Sequence, residues 1–106
     1  MRFVRLGNTS LRVTDLALGT GALASRVDEK TSLAIMDCYI GEGGNFIDTA
    51  NVYGRWNPGN LPLSEMMIGK WLSFHNGTIF TLAVLPEPSA NGASYSISSI
   101  RLMPRF

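Results

Sequence analysis

A carboxylate and a phenol stand close together in Phe46-Ile47-Asp48-Thr49-Ala50-Asn51-Val52-Tyr53-Gly54. The apolar start of this stretch predicts a buried strand, with Asp48 toward its C-terminal end and Tyr53 in the loop beyond. Where parallel strands close into a barrel, the active site lies at that end. A tyrosine hydroxyl there can protonate a carbonyl oxygen while hydride reaches the carbon. For that, a cation or hydrogen bonds must first lower its ordinary pKa of about 10. On local pattern alone, the same two residues also read as a strand-end cap and a loop aromatic resting on the core.

Other residues carry weaker chemical signals. Gly19-Thr20-Gly21 closes the apolar run Leu16-Ala17-Leu18 and serves either to end a strand or to let a cofactor approach the backbone. Trp56, in the loop after Tyr53, reads as a substrate-pocket aromatic or a hydrophobic lid. Lys70 reads as a solvated helix lysine and His75 as a helix-end residue. Cys38 is the single cysteine and has no cation nearby in sequence, so it reads as a packed thiol without a disulfide, and no metal site is expected.

The elements that must hold these groups alternate in period. Phe3–Leu6 and Leu11–Val13 flank Gly7-Asn8-Thr9-Ser10, which predicts a β-hairpin. Leu16–Gly21 reads as a strand buried on both faces. From Asp28 to Ile40, Leu33, Met36 and Ile40 share one helical face, and Gly41, Gly43 and Gly44 stop the helix. Asn45–Ala50 is the next strand, so strand, helix and strand form a right-handed βαβ unit. A Gly-, Pro- and Asn-rich loop from 51 to 62 follows, long enough to suggest function. A second helix from Ser64-Glu65 to Asn76-Gly77 places Ile68, Trp71, Leu72 and His75 on one face, and Thr78–Val84 is a third strand candidate.

Composition bounds the function classes. The 106 residues suit one domain, with 45% hydrophobic and 16% charged residues. Nine basic residues against eight acidic leave a net charge of +1, and the arginines are scattered, which argues against a nucleic-acid partner. No apolar run reaches the roughly 18 residues of a membrane span, and the N-terminus lacks a secretion signal, so the cytoplasm is the expected compartment. The N-x-S/T matches at Asn8 and Asn76 read as turn residues.

Taken in order, the hairpin, Leu18-Gly19-Thr20-Gly21, Phe46-Ile47-Asp48-Thr49-Ala50 with Tyr53-Gly54, and Ser64-Glu65 leading into Ile68-Gly69-Lys70 resemble the aldo-keto reductase family over about residues 3–72. The resemblance implies an α/β fold: an N-terminal hairpin plus the first two to three βα units of a (β/α)8 barrel, left incomplete. It also implies NADP(H)-dependent interconversion of small-molecule carbonyls and alcohols. Tyr53 would then be the proton donor, Asp48 would contact the nicotinamide ribose, and Gly19, Thr20 and Gly21 would lie beside the cofactor.

The departures are equally specific. The family's catalytic tetrad adds a Lys at the end of the third strand and a His after the fourth, whereas here the third strand reads Thr81-Leu82-Ala83-Val84, no Lys follows Lys70, and the sole His is His75. A shift of reading frame between about Leu72 and Thr78 would account for this. The expected organisation is a partial reductase domain over 1–84 and an irregular Ser- and Pro-containing tail over 85–106. The expected function is a truncated, inactive reductase with doubtful tight NADP(H) binding. The alternative is an interaction fragment that self-associates or pairs with a full-length homologue through its open strand edge.

Overall fold

The computed structural model describes residues 1–75, 80–85 and 99–102. Its elements are β1 (Phe3–Arg5), β2 (Arg12–Thr14), β3 (Leu18–Gly19), α1 (Glu29–Gly41), β4 (Phe46–Ala50), α2 (Leu63–Phe74), β5 (Thr81–Leu85) and β6 (Ser99–Leu102). The mixed α/β class is as the sequence predicts. β1 and β2 pair antiparallel with Val4 opposite Val13, so the expected hairpin is present. Gly7 supplies the left-handed backbone that its turn requires, at φ +54°.

The second sheet has the order β3-β4-β5-β6, with β3, β4 and β5 parallel and β6 antiparallel to β5. Within the stretch 85–106, expected to be an irregular tail, Leu85 ends β5 and Ser99–Leu102 forms β6. The physical reason is an available edge: β5 offers a row of backbone N–H and C=O groups, and Ser99-Ile100-Arg101-Leu102 alternates polar with apolar residues. The same pairing covers one strand edge that the sequence reading leaves open. The rest of the tail, with the expected strand start at Thr78-Ile79 and the helix end at Asn76-Gly77, lies outside the described residues.

Strand alternation assigns the two faces of this sheet. Thr49, Leu82 and Val84 line a cleft with Ile68 and Leu72 of α2, and Ile47 joins Met36 and Tyr39 of α1 and Met67, Ile68 and Trp71 of α2 in one core cluster. Both helices thus pack on the face of Ile47 and Thr49. Asp48, Ala50 and Ala83 occupy the opposite face, because successive residues of a strand point to opposite sides.

α1 starts where the sequence places it. Asp28 is its N-cap and accepts a hydrogen bond from the Thr31 amide at 2.7 Å, which holds the Asp28 carboxyl below the usual aspartate range. Ser32, Met36 and Tyr39 form its buried stripe. α2 begins one residue before the expected Ser64, and Pro62 at the cap position makes no side-chain hydrogen bond there. Trp71 is 1% exposed, meets Phe80 edge-on at 6.3 Å and donates its indole N–H to Asp37 of α1 at 2.8 Å. Lys70 bridges to Glu29 at 2.5 Å, and His75 reaches Asp37 at 2.9 Å, so both residues tie α2 to α1.

The Tyr39 hydroxyl joins three elements. It lies 3.0 Å from the Thr14 hydroxyl and 2.8 Å from the carbonyls of Leu16 and Phe46, and it accepts from the Phe46 amide at 3.0 Å. That cluster also explains why β3 is shorter than the expected Leu16–Gly21: the Leu16 carbonyl is engaged by the Thr14 and Tyr39 hydroxyls instead of a strand partner. Gly44 is confined by the same ring, since a Cβ there would lie 2.3 Å from the Tyr39 Cζ.

Replacing Tyr39 by Phe removes the acceptor of the buried Phe46 amide and leaves the Leu16 carbonyl to Thr14. Urea denaturation should show a loss of about 2 kcal/mol for Y39F. An unchanged midpoint would show that the hydroxyl does not fasten the hairpin to the sheet.

Candidate functional site

Asp48 is the middle residue of β4, opposite Ala83 of β5 and on the face away from both helices. The Tyr53 hydroxyl donates to its Oδ1 at 3.4 Å, a long hydrogen bond that brings the phenol and carboxylate together as the sequence predicts. The Tyr53 backbone fixes that approach. Its amide donates to the Ala50 carbonyl at 3.1 Å, and its carbonyl accepts from the Ser64 amide at the start of α2 at 3.3 Å. Gly54 makes this turn sterically possible: its φ is +98°, and a Cβ would stand 2.5 Å from the Leu63 Cβ.

Beneath the site runs a chain of buried hydroxyls. Thr20 Oγ1 donates to the Asp48 carbonyl at 2.7 Å and lies 2.5 Å from Ser64 Oγ, which lies 2.9 Å from Thr49 Oγ1. Each hydroxyl has one proton, and a carbonyl can only accept. The direction is therefore fixed: Thr49 donates to Ser64, Ser64 to Thr20, and Thr20 to Asp48. All three side chains are fully buried. The chain locks the ends of β3 and β4 to the first turn of α2, and Thr20 also donates its amide to the same Asp48 carbonyl at 3.1 Å.

The predicted site residues thus divide. Asp48, Tyr53, Trp56 and Gly21 come together: the Tyr53 and Trp56 rings lie 6.4 Å apart, and a Cβ on Gly21 would rest 3.8 Å from the Tyr53 ring. Thr20 acts through its hydroxyl as a strut under Asp48. Gly19 is exposed, with open space where a side chain would stand. Lys70 and His75 are engaged with α1, as described.

Sequence reasoning gave no role to Arg55, Arg26 or the Ser64 hydroxyl. Arg55 knots the loop through Asn51, at 3.1 Å to its carbonyl and 3.0 Å to its Oδ1, and through the Asn60 carbonyl at 2.7 Å. Arg26, in the loop after β3, stacks its guanidinium 5.2 Å from the Trp56 ring centroid. Ser64 was legible only as a helix start, and no local pattern marks the two arginines. Among the described residues no cluster of His, Cys, Asp or Glu is arranged to hold a metal, and no helix is long and apolar enough to cross a membrane.

Partial burial pushes the Asp48 carboxyl above the ordinary aspartate range, and the Tyr53 hydrogen bond offsets part of the rise. Such a group favours the fold most when protonated, and that contribution is lost as pH rises through its folded value. Asp48→Asn should therefore raise the Tm at pH 7 by about 2 °C, the scale for a partly exposed group. The gain should vanish below about pH 3, where both forms are neutral. A pH-independent difference in thermal scans would contradict this account of Asp48.

Comparison with known proteins gives this geometry its context. The Aldo/keto reductase family matches residues 15–101, continuing past Leu72, where the sequence reading placed the end of the resemblance. The chain is 47% identical over 73 residues to the uncharacterised oxidoreductase YrpG of Bacillus subtilis (strain 168), covering 69% of this chain and 22% of YrpG. It is 40% identical over 82 residues to an uncharacterised 11.2 kDa protein in the crtE 3′ region of Pseudescherichia vulneris, covering 72% of this chain and 80% of that one. It is 34% identical over 73 residues to the aldo-keto reductase ausK of Aspergillus calidoustus, covering 62% of this chain and 17% of ausK. The chain thus spans about a fifth of the length of the two reductase relatives and four fifths of the small one. Because the match extends over residues 15–101, well over half of the chain, this protein belongs to the aldo-keto reductase family.

Proposed function

We propose that this chain carries the proton-donor half of a carbonyl reductase site, built on the opening βα units of a (β/α)8 barrel. The hydrogen bond from Tyr53 to Asp48, on the face of the sheet away from α1 and α2, carries the reading. In the reaction the Tyr53 O–H, which here donates to Asp48 Oδ1, turns to the carbonyl oxygen and gives up its proton there, leaving a phenolate that solvent reprotonates. NADPH, when bound, supplies the hydride that adds to the carbonyl carbon and completes the alcohol.

The residues present suit the nicotinamide end of that cofactor. Gly19 leaves open space beside Asp48, its register partner across β3 and β4. The Asp48 carboxylate, which accepts from Tyr53 on Oδ1, has capacity to accept from a ribose hydroxyl as well. For the phosphates, the described residues gather no cluster of cations: Arg2 pairs with Asp15, Lys70 with Glu29, and Arg55 with its own loop.

Activity in this chain is limited by what accompanies the phenol. The sequence holds two lysines, Lys30 and Lys70, both on helices, and one histidine, which is committed to Asp37. Both helices pack on the face of the sheet opposite Asp48, and removal of one cooperating catalytic group typically costs on the order of 10³-fold in rate or more. Purified chain with NADPH and a panel of aldehydes should therefore show no oxidation of NADPH above background at 340 nm. Appreciable turnover that disappears in Tyr53→Phe would overturn the claim that Tyr53 and Asp48 are insufficient alone.

A further inference from the structure

We infer that Arg5 and Arg12, opposed across the N-terminal hairpin, form a binding site for a phosphate monoester. The inference stands apart from the carbonyl reading, because the pair lies at the other end of β4.

β1 and β2 are in register with Arg5 directly opposite Arg12. The Leu6 amide donates to the Leu11 carbonyl and the Asp15 amide to the Arg2 carbonyl, so hydrogen-bonded pairs fall at Leu6 with Leu11 and at Arg2 with Asp15. Hydrogen-bonded and non-hydrogen-bonded pairs alternate along an antiparallel ladder, and Arg5 with Arg12 is therefore of the second, closer kind. Their Cβ atoms stand roughly 5 Å apart on one face of the hairpin. Register alone thus fixes both the separation and the common direction in which the two side chains leave the backbone. Asn45, which leads into β4, holds the hairpin in place: its side-chain amide donates to the Arg12 carbonyl at 3.1 Å, and its Oδ1 accepts from the Thr14 amide at 2.7 Å. The pair is consequently at the N-terminal end of β4, whereas Tyr53 follows the C-terminal end.

Like charges directly opposite each other destabilise a strand pair, and nothing among the described residues relieves this one. Both side chains are exposed and no described carboxylate pairs with either, whereas Arg2, on the other face, has Asp15 at 3.4 Å. Charge distribution adds to the effect. Residues 1–15 hold three arginines against one aspartate, and the other 91 hold six basic residues against seven acidic, so positive potential gathers on the hairpin. Arg5 is also held ready for a ligand: its Nε donates to the Thr9 carbonyl at 2.8 Å, which orients the guanidinium and leaves its terminal N–H groups to donate elsewhere. The two oxygens of a carboxylate fill one guanidinium fork. A phosphate monoester presents three acceptor oxygens and nearly two negative charges at neutral pH, and so matches two forks in both number and charge.

The test titrates the full chain with inorganic phosphate and, separately, with acetate, at neutral pH and constant ionic strength, following Arg5 and Arg12 in ¹H–¹⁵N spectra. Wild-type protein should bind phosphate with a Kd on the order of a few millimolar and acetate about tenfold more weakly. Arg12→Gln should lose the saturable response, and in chloride alone it should melt about 2 °C above the wild type, because the opposed charge is gone. Arg12→Lys keeps the charge without the fork, so it should retain part of the phosphate affinity and show no gain in Tm. The Arg12 side chain is exposed and Asn45 holds only its backbone, so R12Q should keep the wild-type spectrum elsewhere. Absence of saturable binding by the wild type, equal affinity for the two anions, or phosphate binding that survives in R12Q overturns the site, and an R12Q Tm at or below that of the wild type overturns the repulsion on which it rests. Glycerol 3-phosphate and phosphatidylcholine vesicles containing phosphatidic acid then separate the sources of the phosphate. Binding of the soluble ester assigns the site to a free phosphate compound, co-sedimentation with vesicles alone assigns it to a lipid headgroup, and binding of neither overturns the proposal. None of these readouts involves Asp48 or Tyr53, so failure here leaves the carbonyl reading in place.

Discussion

The relay of buried hydroxyls from Thr49 through Ser64 and Thr20 to the Asp48 carbonyl is the constraint on which the mouth depends. Three elements meet there, and none can shift alone without leaving a polar atom unpaired in a fully buried place, a penalty of about 1–3 kcal/mol per group. Because the chain ends on the backbone of Asp48 itself, it fixes where the carboxylate emerges on the opposite face of the sheet. The Ser64 amide extends the same anchor to the Tyr53 carbonyl, so one turn of helix holds both partners of the candidate site. Gly54 permits the close passage of Leu63 that this geometry needs.

Much of this architecture was legible in the residues. Period and punctuation located the hairpin, α1 with its Asp28 cap, β4 and the body of α2, because each buries an apolar stripe at the spacing its backbone dictates. That Asp48 and Tyr53 meet follows from the same reading: a strand carrying a carboxylate, then a tight Tyr-Gly turn. What local pattern does not carry is long-range polar pairing. Ser64 and Thr20 are ordinary cap and strand-end residues in sequence, and only their meeting across 44 positions makes them struts. The shortening of β3 likewise follows from Tyr39 reaching back to Leu16, and β6 from the edge that β5 presents.

The site is asymmetric in its electrostatics. Several described cations are committed elsewhere: Lys70 ties α2 to α1, Arg55 closes its own loop, and Arg26 lies over Trp56 at the rim. The mouth therefore presents a partly desolvated carboxylate and a phenol, with positive charge displaced to the edge. Here the strand position beside Asp48 is Ala83, fully buried and apolar.

The central claim is that Asp48 and Tyr53 form one hydrogen-bonded unit in a partly buried mouth. Carbon-detected NMR titration of the Asp48 carboxyl group tests it most directly. The midpoint should lie above the ordinary aspartate value because burial disfavours the charge, and Tyr53→Phe should move it higher still by removing the donor that offsets that effect. A midpoint at or below the ordinary value, unmoved by Y53F, would contradict the account.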